Sequence, residues 1–377
     1  MSLTEYDSLK RRRPESISDS LVLAKKNELI ASLEPYVVEL FPSLLPPKDK
    51  LWTPADFLPD ISASSPDWPD KLKTFRQQEG RISPELLNII IVSGATEEAL
   101  PSYQTRLNSL DPIRDVTGTD DSAWARSARE WTAQEYPHGK VLMDYLLLDG
   151  RADMAAVQRT NQALIRNGFN MRINRDPYKF FIYTTFQERA TQIVHARSAS
   201  QAKKEGGETL AIICATLSPD EGRHYLYYGK IVRRIFELDP DGAMVALNEM
   251  MQQRIIMPTE RIDDGTNNPT STFERYGRLV DNIGIYTPEV YADVFNTVLD
   301  MWDVRDINPK EDAAKRAQEG VIRLSERHTK VAANLAKREK PALDLSTFTW
   351  LKTLPEERPA LPESALLFER QPTQRPQ

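Results

Sequence analysis

Several residue types and segments that mark particular protein classes are scarce or absent in this sequence. Its 377 residues include one cysteine, Cys214, which excludes an intramolecular disulfide and indicates a reducing compartment. No run approaches the roughly 18 apolar residues that suggest a membrane span; residues 87–92 are far shorter. The N-terminus lacks the apolar segment of a secretory signal. We therefore expect no membrane span and a cytoplasmic location, or a plastid stroma if a transit peptide has been removed.

Glycine and positive charge are also limited. Only 15 glycines occur, and no regular series of short alternating strands is visible. The formal net charge is -6, which disfavours a nucleic-acid partner because phosphate binding needs a basic surface. Hydrophobic residues make up 40% of the chain, an ordinary globular balance. These observations predict an all-α protein with a substantial core.

Proline is plentiful, and it marks the edges of the predicted helical region. The 26 prolines cluster in 42–69 and 354–376, which we expect to be irregular. We predict a flexible N-terminal arm (1–18), one helical domain (19–350) and a Pro-rich C-terminal tail (351–377). Helices are predicted at 19–40, 83–110, 122–148, 176–204, 208–238, 243–256, 271–283, 288–302 and 311–338, with a turn at 239–242. Several long helices predict a bundle.

Two Glu-x-x-His motifs carry the chemical signal, Glu135-Tyr-Pro-His138 and Glu221-Gly-Arg-His224. On a helix, residues i and i+3 lie on the same face, so each pair can bind one metal ion. The chain has only four histidines, and two of them have this spacing. One such motif is a weak signal, but two on long predicted helices are a stronger one.

Each motif follows a helix that offers one more glutamate, Glu97 in the first half and Glu188 in the second. This is the ligand plan of ferritin-like di-iron carboxylate proteins, and such ligands suit iron or manganese. An ordinary interpretation exists as well. A helical glutamate is usually a solvated surface residue, and Ser218-Pro-Asp-Glu221 also fits a capping box that would start a new helix. Spacing alone leaves both interpretations open.

Longer segments around these residues resemble the acyl-acyl-carrier-protein desaturase family. The segments are Thr96-Glu-Glu-Ala-Leu-Pro-Ser-Tyr-Gln-Thr105, Trp131-Thr-Ala-Gln-Glu135-Tyr-Pro-His138-Gly139, Tyr145–Asp153, Tyr183-Thr-Thr-Phe-Gln-Glu188-Arg-Ala-Thr191 and Asp220–His224, together with Trp52–Asp60 and Phe236–Gly242. They occur in colinear order over about residues 20–350.

The resemblance implies a fold, a cofactor and an activity. The fold is a ferritin-like four-helix bundle within a larger single helical domain. The cofactor is two carboxylate-bridged iron ions, with the ligands Glu97, Glu135, His138, Glu188, Glu221 and His224. The activity is the insertion of a cis double bond into a saturated acyl chain, using dioxygen, for unsaturated fatty acid synthesis. Acyl carrier protein presents the chain, reduced ferredoxin supplies electrons, and the enzyme is a homodimer.

Three further residues have expected roles beside the metals. Thr191 lies one turn past Glu188 and is expected either to hydrogen-bond an oxygen intermediate or simply to pack between helices. Asp220 and Trp131 resemble family residues that surround His138 and fix its ring. For the tryptophan, ordinary packing is the alternative.

The sequence departs from the family pattern at two places near the site. Tyr136-Pro137 stands where Asn-Arg is common, and a proline inside a helix costs roughly 3 kcal/mol. We therefore expect a kink or bulge there, and Pro219 raises the same question before Glu221. Phe180 and Phe181 precede the third ligand segment, and the family often has a small residue at the first of these positions. This predicts a shortened acyl tunnel that favours palmitoyl or shorter chains over stearoyl.

Acyl carrier protein is acidic, so a local basic surface is expected. The candidates are Lys230, Arg233 and Arg234, or the stretch 310–340 with nine Lys/Arg against five Asp/Glu.

Two other functions fit the same ligands. One is an oxygenase that hydroxylates the acyl chain. The other is a ferritin-like iron-binding protein without acyl chemistry. An inactive relative of the enzyme that acts only as a binding protein is a further form of this alternative. A deep apolar tunnel ending at the metals would distinguish acyl chemistry from iron storage.

Overall fold

The structure, a computed structural model, describes residues 17–44, 46, 48–62, 64–253, 255, 257–266, 268–340 and 348–352. Across these ranges the regular elements are helices, and the one isolated bridge joins Ala152 to Leu351. The predicted all-α fold is confirmed. The predicted arm and tail lie almost entirely outside the described residues and stay predictions.

The main helices run in the following order. They are α1 (Ile17–Ser32), α2 (Glu34–Leu44), α3 (Trp68–Glu79), α4 (Pro84–Glu98), α5 (Leu100–Leu107), α6 (Ala123–Asp149), α7 (Met154–Asn167), α8 (Pro177–Glu205), α9 (Glu208–Leu238), α10 (Pro240–Gln252), α11 (Pro269–Asn282), α12 (Pro288–Met301) and α13 (Asp312–Leu335).

Four of these helices form the central bundle and pack as two pairs. Helix α4 packs against α6, and α8 packs extensively against α9. Contacts between α6 and α9 and between α4 and α8 join the pairs. Each pair contains one helix with a single candidate glutamate and one with a Glu-x-x-His motif, so the bundle brings the two halves of the sequence pattern together.

The ends of these helices follow from local chemistry. Ser122 caps α6 by accepting a hydrogen bond from Ala125 N, and Gly150 ends that helix with φ 81°. Asp176 accepts from the first amides of α8, Pro177 occupies the first position, and Gly206 ends the helix with φ 84°. A left-handed conformation of this kind favours glycine. These boundaries are close to the predicted ones.

Helix α9 starts without a capping side chain of its own. Its first residue follows Gly207, which has no side chain to offer, and the carboxylate of Glu79 at the end of α3 takes that role. Glu79 accepts from Thr209 N at 2.8 Å, from Leu210 N at 3.4 Å and from the Tyr145 hydroxyl at 2.9 Å. This fully buried carboxylate therefore ties α3, α6 and α9 together.

Several predicted boundaries were wrong. The helix predicted over 83–110 breaks at Ala99, because Pro101 cannot donate the backbone hydrogen bond that would continue it. The helix predicted over 19–40 breaks at Leu33, just before Pro35. The predicted turn at 239–242 starts α10, where Asp239 caps the Gly242 amide. Helices α3 and α7 were not predicted.

The two prolines near the motifs lie inside continuous helices, Pro137 in α6 and Pro219 in α9. The capping-box interpretation of residues 218–221 is therefore wrong, since no helix starts there. The Ser218 hydroxyl instead donates to the carbonyl of Gln192 on α8, at 3.0 Å. A kink at Pro137 stays a prediction.

Candidate metal centre

The structure brings all six candidate ligands together inside the bundle. Their side chains are between 0% and 10% exposed, and the most exposed is that of Glu97. Solvated surface glutamates would not be so buried, which removes the ordinary interpretation for these residues. The ligand residues are Glu97 from α4, Glu135 and His138 from α6, Glu188 from α8, and Glu221 and His224 from α9.

The ligand atoms form two overlapping groups. One is Glu97, Glu135, His138 and Glu221, and the other is Glu135, Glu188, Glu221 and His224; atoms in each group lie within 4.8 Å of one another. Both groups contain Glu135 and Glu221. The arrangement thus offers two neighbouring metal positions, each with one glutamate and one histidine of its own and two shared carboxylates.

Buried atoms without hydrogen-bond partners support this assignment. Among the described residues, Glu135 Oε1, Glu188 Oε1 and His224 Nδ1 lack a partner. His224 Nδ1 and Glu135 Oε1 are 2.7 Å apart but are not aligned as donor and acceptor. Buried polar atoms are normally paired, and unpaired ligand atoms that converge are what a metal ion would satisfy. The donor set of carboxylates and imidazoles fits iron or manganese.

The protonation of these groups reflects the crowding of buried charge. Burial raises the pKa of Glu97 to about 7 and raises that of Glu188 well above its usual value. Burial also opposes ionisation of Glu221, but a hydrogen bond with His138 and the nearby ring of His224 hold its pKa well below the ordinary range. Burial lowers the pKa of His224, but Glu135 and Glu221 raise it to about 9. Protons thus balance charges that metal ions would otherwise balance.

Each candidate histidine ligand has a polar partner on its far nitrogen. His138 Nε2 lies 3.4 Å from Asp220 Oδ2, and His224 Nε2 lies 3.2 Å from Gln134 Oε1. Outer partners of this kind fix the ring orientation of metal-binding histidines. Asp220 was expected in this position from the sequence. Gln134 was not, although it directly precedes Glu135 in the first motif.

The tryptophan that contacts His138 and its partner Asp220 is Trp52. Its Nε1 donates to Asp220 Oδ2 at 2.8 Å, and its ring stacks on that of His138 at a centroid distance of 5.8 Å. Burial raises the pKa of Asp220, but hydrogen bonds from His138 and Trp52 lower it below its usual value. Trp131, the residue expected here, lines a small void of about 10 Å³ beside Glu135 and Glu188.

Thr191 lies against the shared carboxylate. Its hydroxyl is 3.1 Å from Glu221 Oε2 and also approaches the carbonyls of Gln187 and Glu188, at 3.2 and 3.0 Å. The residue lines both the small void and a much larger cavity. It therefore stands at the boundary between the ligand cluster and the space outside it.

The larger cavity has a volume of about 940 Å³ and leads to the ligand cluster. Residues Glu97, Thr191 and His195 line its inner end, and the rest is lined by other residues of α4 and α8, by the segment between α10 and α11, and by residues of α11, α12 and α13. Many of these are apolar, including Phe186, Val194, Met257, Phe273, Val331 and Leu335. Val331 and Leu335 are 45% and 36% exposed, which places them at the mouth. An apolar tunnel that ends at the ligands distinguishes this site from an iron store.

His195 is a third histidine at the site, and it belongs to neither Glu-x-x-His motif. It is 1% exposed, and its Nε2 lies 3.5 Å from Glu97 Oε1. Burial lowers its pKa, but contacts with Cys214 and Glu97 raise it to about 10. It lies seven residues after Glu188, so the only sequence signal was its position two turns along the same helix face.

The four helices and the two ligand groups define the class of this protein. It is an all-α bundle with a paired carboxylate–histidine site next to an apolar tunnel. Comparison with known proteins then gives the family. The fatty acid desaturase family matches residues 25–352, and this chain belongs to it.

Two relatives illustrate the similarity. The chain is 40% identical over 327 residues to the chloroplastic stearoyl-[acyl-carrier-protein] 9-desaturase of Simmondsia chinensis, covering 87% of this chain and 81% of that protein. It is 37% identical over 337 residues to the chloroplastic palmitoyl-[acyl-carrier-protein] 4-desaturase 3 of Ophrys sphegodes, covering 89% and 83%. The X-ray structure of DesA2 from Mycobacterium tuberculosis H37Rv shares 17% identity with a TM-score of 0.49, covering 77% of this chain and 99% of that one; this is too low for a functional conclusion.

Proposed function

We propose that this protein is an acyl-acyl-carrier-protein desaturase, which converts one CH2–CH2 pair of a saturated acyl chain into a cis double bond for unsaturated fatty acid synthesis. The balanced reaction consumes one dioxygen, two electrons and two protons, and it yields two waters. The observation that carries the proposal is the apolar cavity that ends at a buried, paired ligand cluster. Membership of the desaturase family supports it.

Two iron ions are proposed to occupy the cluster, and they would supply the reduction of dioxygen. Glu97 and His138 would hold one ion, Glu188 and His224 the other, and Glu135 and Glu221 would be shared. Manganese suits the same donors, so loading the protein with manganese in place of iron is the comparison that identifies the metal.

The protein's own contribution is positioning and the exclusion of water. The cavity would align one pair of C–H bonds against the cluster, as catalysis by orientation requires, and its apolar walls would keep water from the reaction. Thr191 reaches the cavity surface and would contact the reacting part of the chain. Asp220 and Gln134 would hold the two histidine rings in place. Trp131 would close the opposite side of the cluster.

The basic surface for acyl carrier protein is proposed at the end of α13. Among the described residues, Arg327, Lys330, Lys337 and Arg338 are exposed and have no ion-pair partner, and this segment also supplies the cavity mouth. In the other candidate surface, Arg233 pairs with Asp303 and Arg234 with Glu237. Unpaired cations beside the mouth fit an acidic carrier better, because they can steer it to the tunnel.

Three further features are proposed from the family resemblance. Reduced ferredoxin would supply the two electrons, and the protein would be a homodimer, which sedimentation would test. Within the part of the chain that the structure describes, no helix is long and apolar enough to cross a membrane. The two relatives named above are called chloroplastic, so a plastid stroma is proposed, with a bacterial-type cytoplasm as the alternative.

The length of the acyl chain is proposed to be limited beyond the metals. The void on that side is only about 10 Å³, roughly the space of one water molecule. Phe180 and Phe181 are packed against Tyr228 and do not line the large cavity. The relatives named above include a stearoyl and a palmitoyl enzyme, so the family leaves the length open. The packing favours palmitoyl or shorter chains.

One experiment separates this function from the alternatives. The purified protein is loaded with ferrous iron, its metal content is measured, and palmitoyl- or stearoyl-acyl carrier protein is supplied with reduced ferredoxin and dioxygen. About two irons per chain and a mono-unsaturated product are expected. A hydroxylated product would make it an oxygenase instead. Bound iron without any acyl product would favour the ferritin-like iron-binding protein, and failure to bind iron would overturn both.

A further inference from the structure

The ligand Glu97 has a special position in the cluster. Of the six candidate ligands, it is the one that lines the large cavity. It also lies in the last turn of α4, which ends at Glu98 before the break at Ala99. A carboxylate at a helix end, facing an open apolar cavity, needs support from outside its own helix to keep one orientation.

The backbone of Glu97 receives that support from α6. A Cβ atom on Gly139 would lie 3.2 Å from Glu97 Cβ and 3.1 Å from Glu98 N, so a side chain here would push α6 and α4 apart by a few tenths of an ångström, and glycine permits their close approach. Gly139 directly follows His138, so the same contact fixes the distance between these two candidate ligands. It does not hold the carboxylate group itself.

The side chain of His195 meets that carboxylate from α8. Its Nε2 is 3.5 Å from Glu97 Oε1 and 3.9 Å from Glu221 Oε1, and its ring forms part of the cavity wall. An ionised carboxylate can only accept hydrogen bonds, so the ring nitrogen that faces it is the donor. His195 is not in either candidate ligand group.

We propose that His195 is a positioning residue of the metal centre, which donates a hydrogen bond from Nε2 to Glu97 and keeps this carboxylate turned toward the cluster. Without that bond, Glu97 is free to rotate into the cavity. There it would loosen the first metal position and occupy the space through which the acyl chain reaches the metals. The inference rests on the proposed metal centre, but it does not depend on which acyl chain is the substrate.

Three variants test this role. His195→Leu removes the donor at similar volume, and His195→Gln keeps a donor. Ser198→Ala is the matched control, because Ser198 lies one turn further along α8, is buried, makes no hydrogen bond to a described residue and does not line the cavity. Each variant is loaded with ferrous iron, and its iron content, Mössbauer spectrum, kcat and KM are measured.

We expect His195→Leu to alter the Mössbauer signal of one iron position and to leave the other near that of the wild type. Its kcat should fall roughly 10- to 100-fold, the usual effect of losing an outer partner of a metal ligand, and its KM should rise because the displaced Glu97 occupies part of the path of the acyl chain. His195→Gln should recover part of both effects, and Ser198→Ala should match the wild type. A wild-type spectrum and kcat in His195→Leu would overturn the proposal, as would equal damage in the glutamine variant.

The spectrum also separates this inference from the proposed function. If the spectrum of His195→Leu changes at one iron position only, the positioning role is supported. This holds even if the wild type forms no acyl product, because that result would count only against the desaturase function. An unchanged spectrum beside normal wild-type desaturation counts only against His195.

Discussion

His224 Nδ1 and Glu135 Oε1 lie 2.7 Å apart on neighbouring helices, yet neither atom has a hydrogen-bond partner among the described residues. Two buried ligand atoms this close, with no hydrogen bond between them, are placed so that both could bind one metal ion. Without metal, these groups hold protons instead, because burial raises the pKa of Glu97 to about 7 and, against the effect of burial, Glu135 and Glu221 raise that of His224 to about 9.

The metal-free protein should therefore lose stability as pH rises, and metal affinity should increase. Both pKa values exceed the ordinary values of 4.5 and 6.5. Groups with raised folded pKa values stabilise the fold most at low pH and lose this contribution as pH rises through the folded pKa. The metal-free Tm should fall between about pH 5 and pH 9, and metal binding should release protons over the same range.

Thermal melts with and without iron, and calorimetry in buffers of different ionisation enthalpy, measure these effects. The metal-free Glu97→Gln variant removes one titrating group, so its Tm should fall less steeply between pH 5 and pH 7. A metal-free Tm that is constant or rises over this range would show that the cluster does not retain protons.

Asp220→Asn should weaken the metal centre while leaving the fold intact. The carboxylate accepts a hydrogen bond from Trp52 and faces His138. Burial raises its pKa, but these two contacts lower it below the usual value, so the group is held in its charged form. Losing the charge should reduce iron affinity or turnover roughly 10- to 100-fold. Trp52→Phe keeps the stacked ring but removes one donor, so its effect should be smaller. Equal iron affinity and turnover in Asp220→Asn and the wild type would contradict this role.

Four of the six candidate ligands could be placed together from spacing, because the two residues of each Glu-x-x-His pair lie on one helix face. Glu97 and Glu188 were expected as ligands only from the family resemblance. The outer partners could not be predicted in this way. The Trp52–Asp220 contact spans 168 residues and the His195–Glu97 contact spans 98, so only the packing of different elements creates them. For the same reason the sequence placed Trp131 where the structure has Trp52.

The same distinction between local and long-range contacts applies to the ends of the helices. Ser122, Asp176 and Gly206 mark helix ends through contacts with their own neighbours, and these ends were predicted well. The start of α9 at residue 208 was also predicted, but its cap was not: Glu79 lies 130 residues before Thr209, so no local pattern indicates that contact. The break at Ala99 did have a local signal, because Pro101 follows it. The apolar pattern on both sides nevertheless favoured the prediction of one continuous helix.

Reversing charge at the end of α13 should weaken carrier binding without changing the metal centre. In Arg327→Glu/Lys330→Glu, KM for the acyl carrier substrate should rise at low salt, and its salt dependence should become shallower because fewer cations steer the carrier. The metal content should not change. Arg233→Glu/Arg234→Glu is the matched control, because those arginines are paired with acidic groups. A larger rise in KM in the control pair would place the docking surface there instead.

Glu79→Ala should be strongly destabilising although the residue is remote from the site. It removes an acceptor used by two amides of α9 and by the Tyr145 hydroxyl, all in a buried position. Hydrogen bonds to charged groups contribute about 1.5–3 kcal/mol each, so a loss of about 3 kcal/mol or more in unfolding free energy is expected in urea. Glu208→Ala, at the exposed first position of α9, should cost less than about 1 kcal/mol. Similar losses in both variants would contradict the capping role.

Phe180→Leu should shift the preferred acyl chain toward greater length. Phe180 is buried two turns before Glu188, and its ring lies 5.2 Å from that of Phe181 and 6.3 Å from that of Tyr228. Removing ring volume there should open space beyond the metals. The ratio of stearoyl to palmitoyl turnover, which we expect to be low in the wild type, should therefore rise. Phe236→Leu, which removes a buried ring tilted against that of Trp302, is the control for lost core packing. It should lose comparable stability in denaturant but keep the wild-type ratio. Equal wild-type turnover of both chain lengths, or the same shift in both variants, would mean that Phe180 does not limit the acyl tunnel.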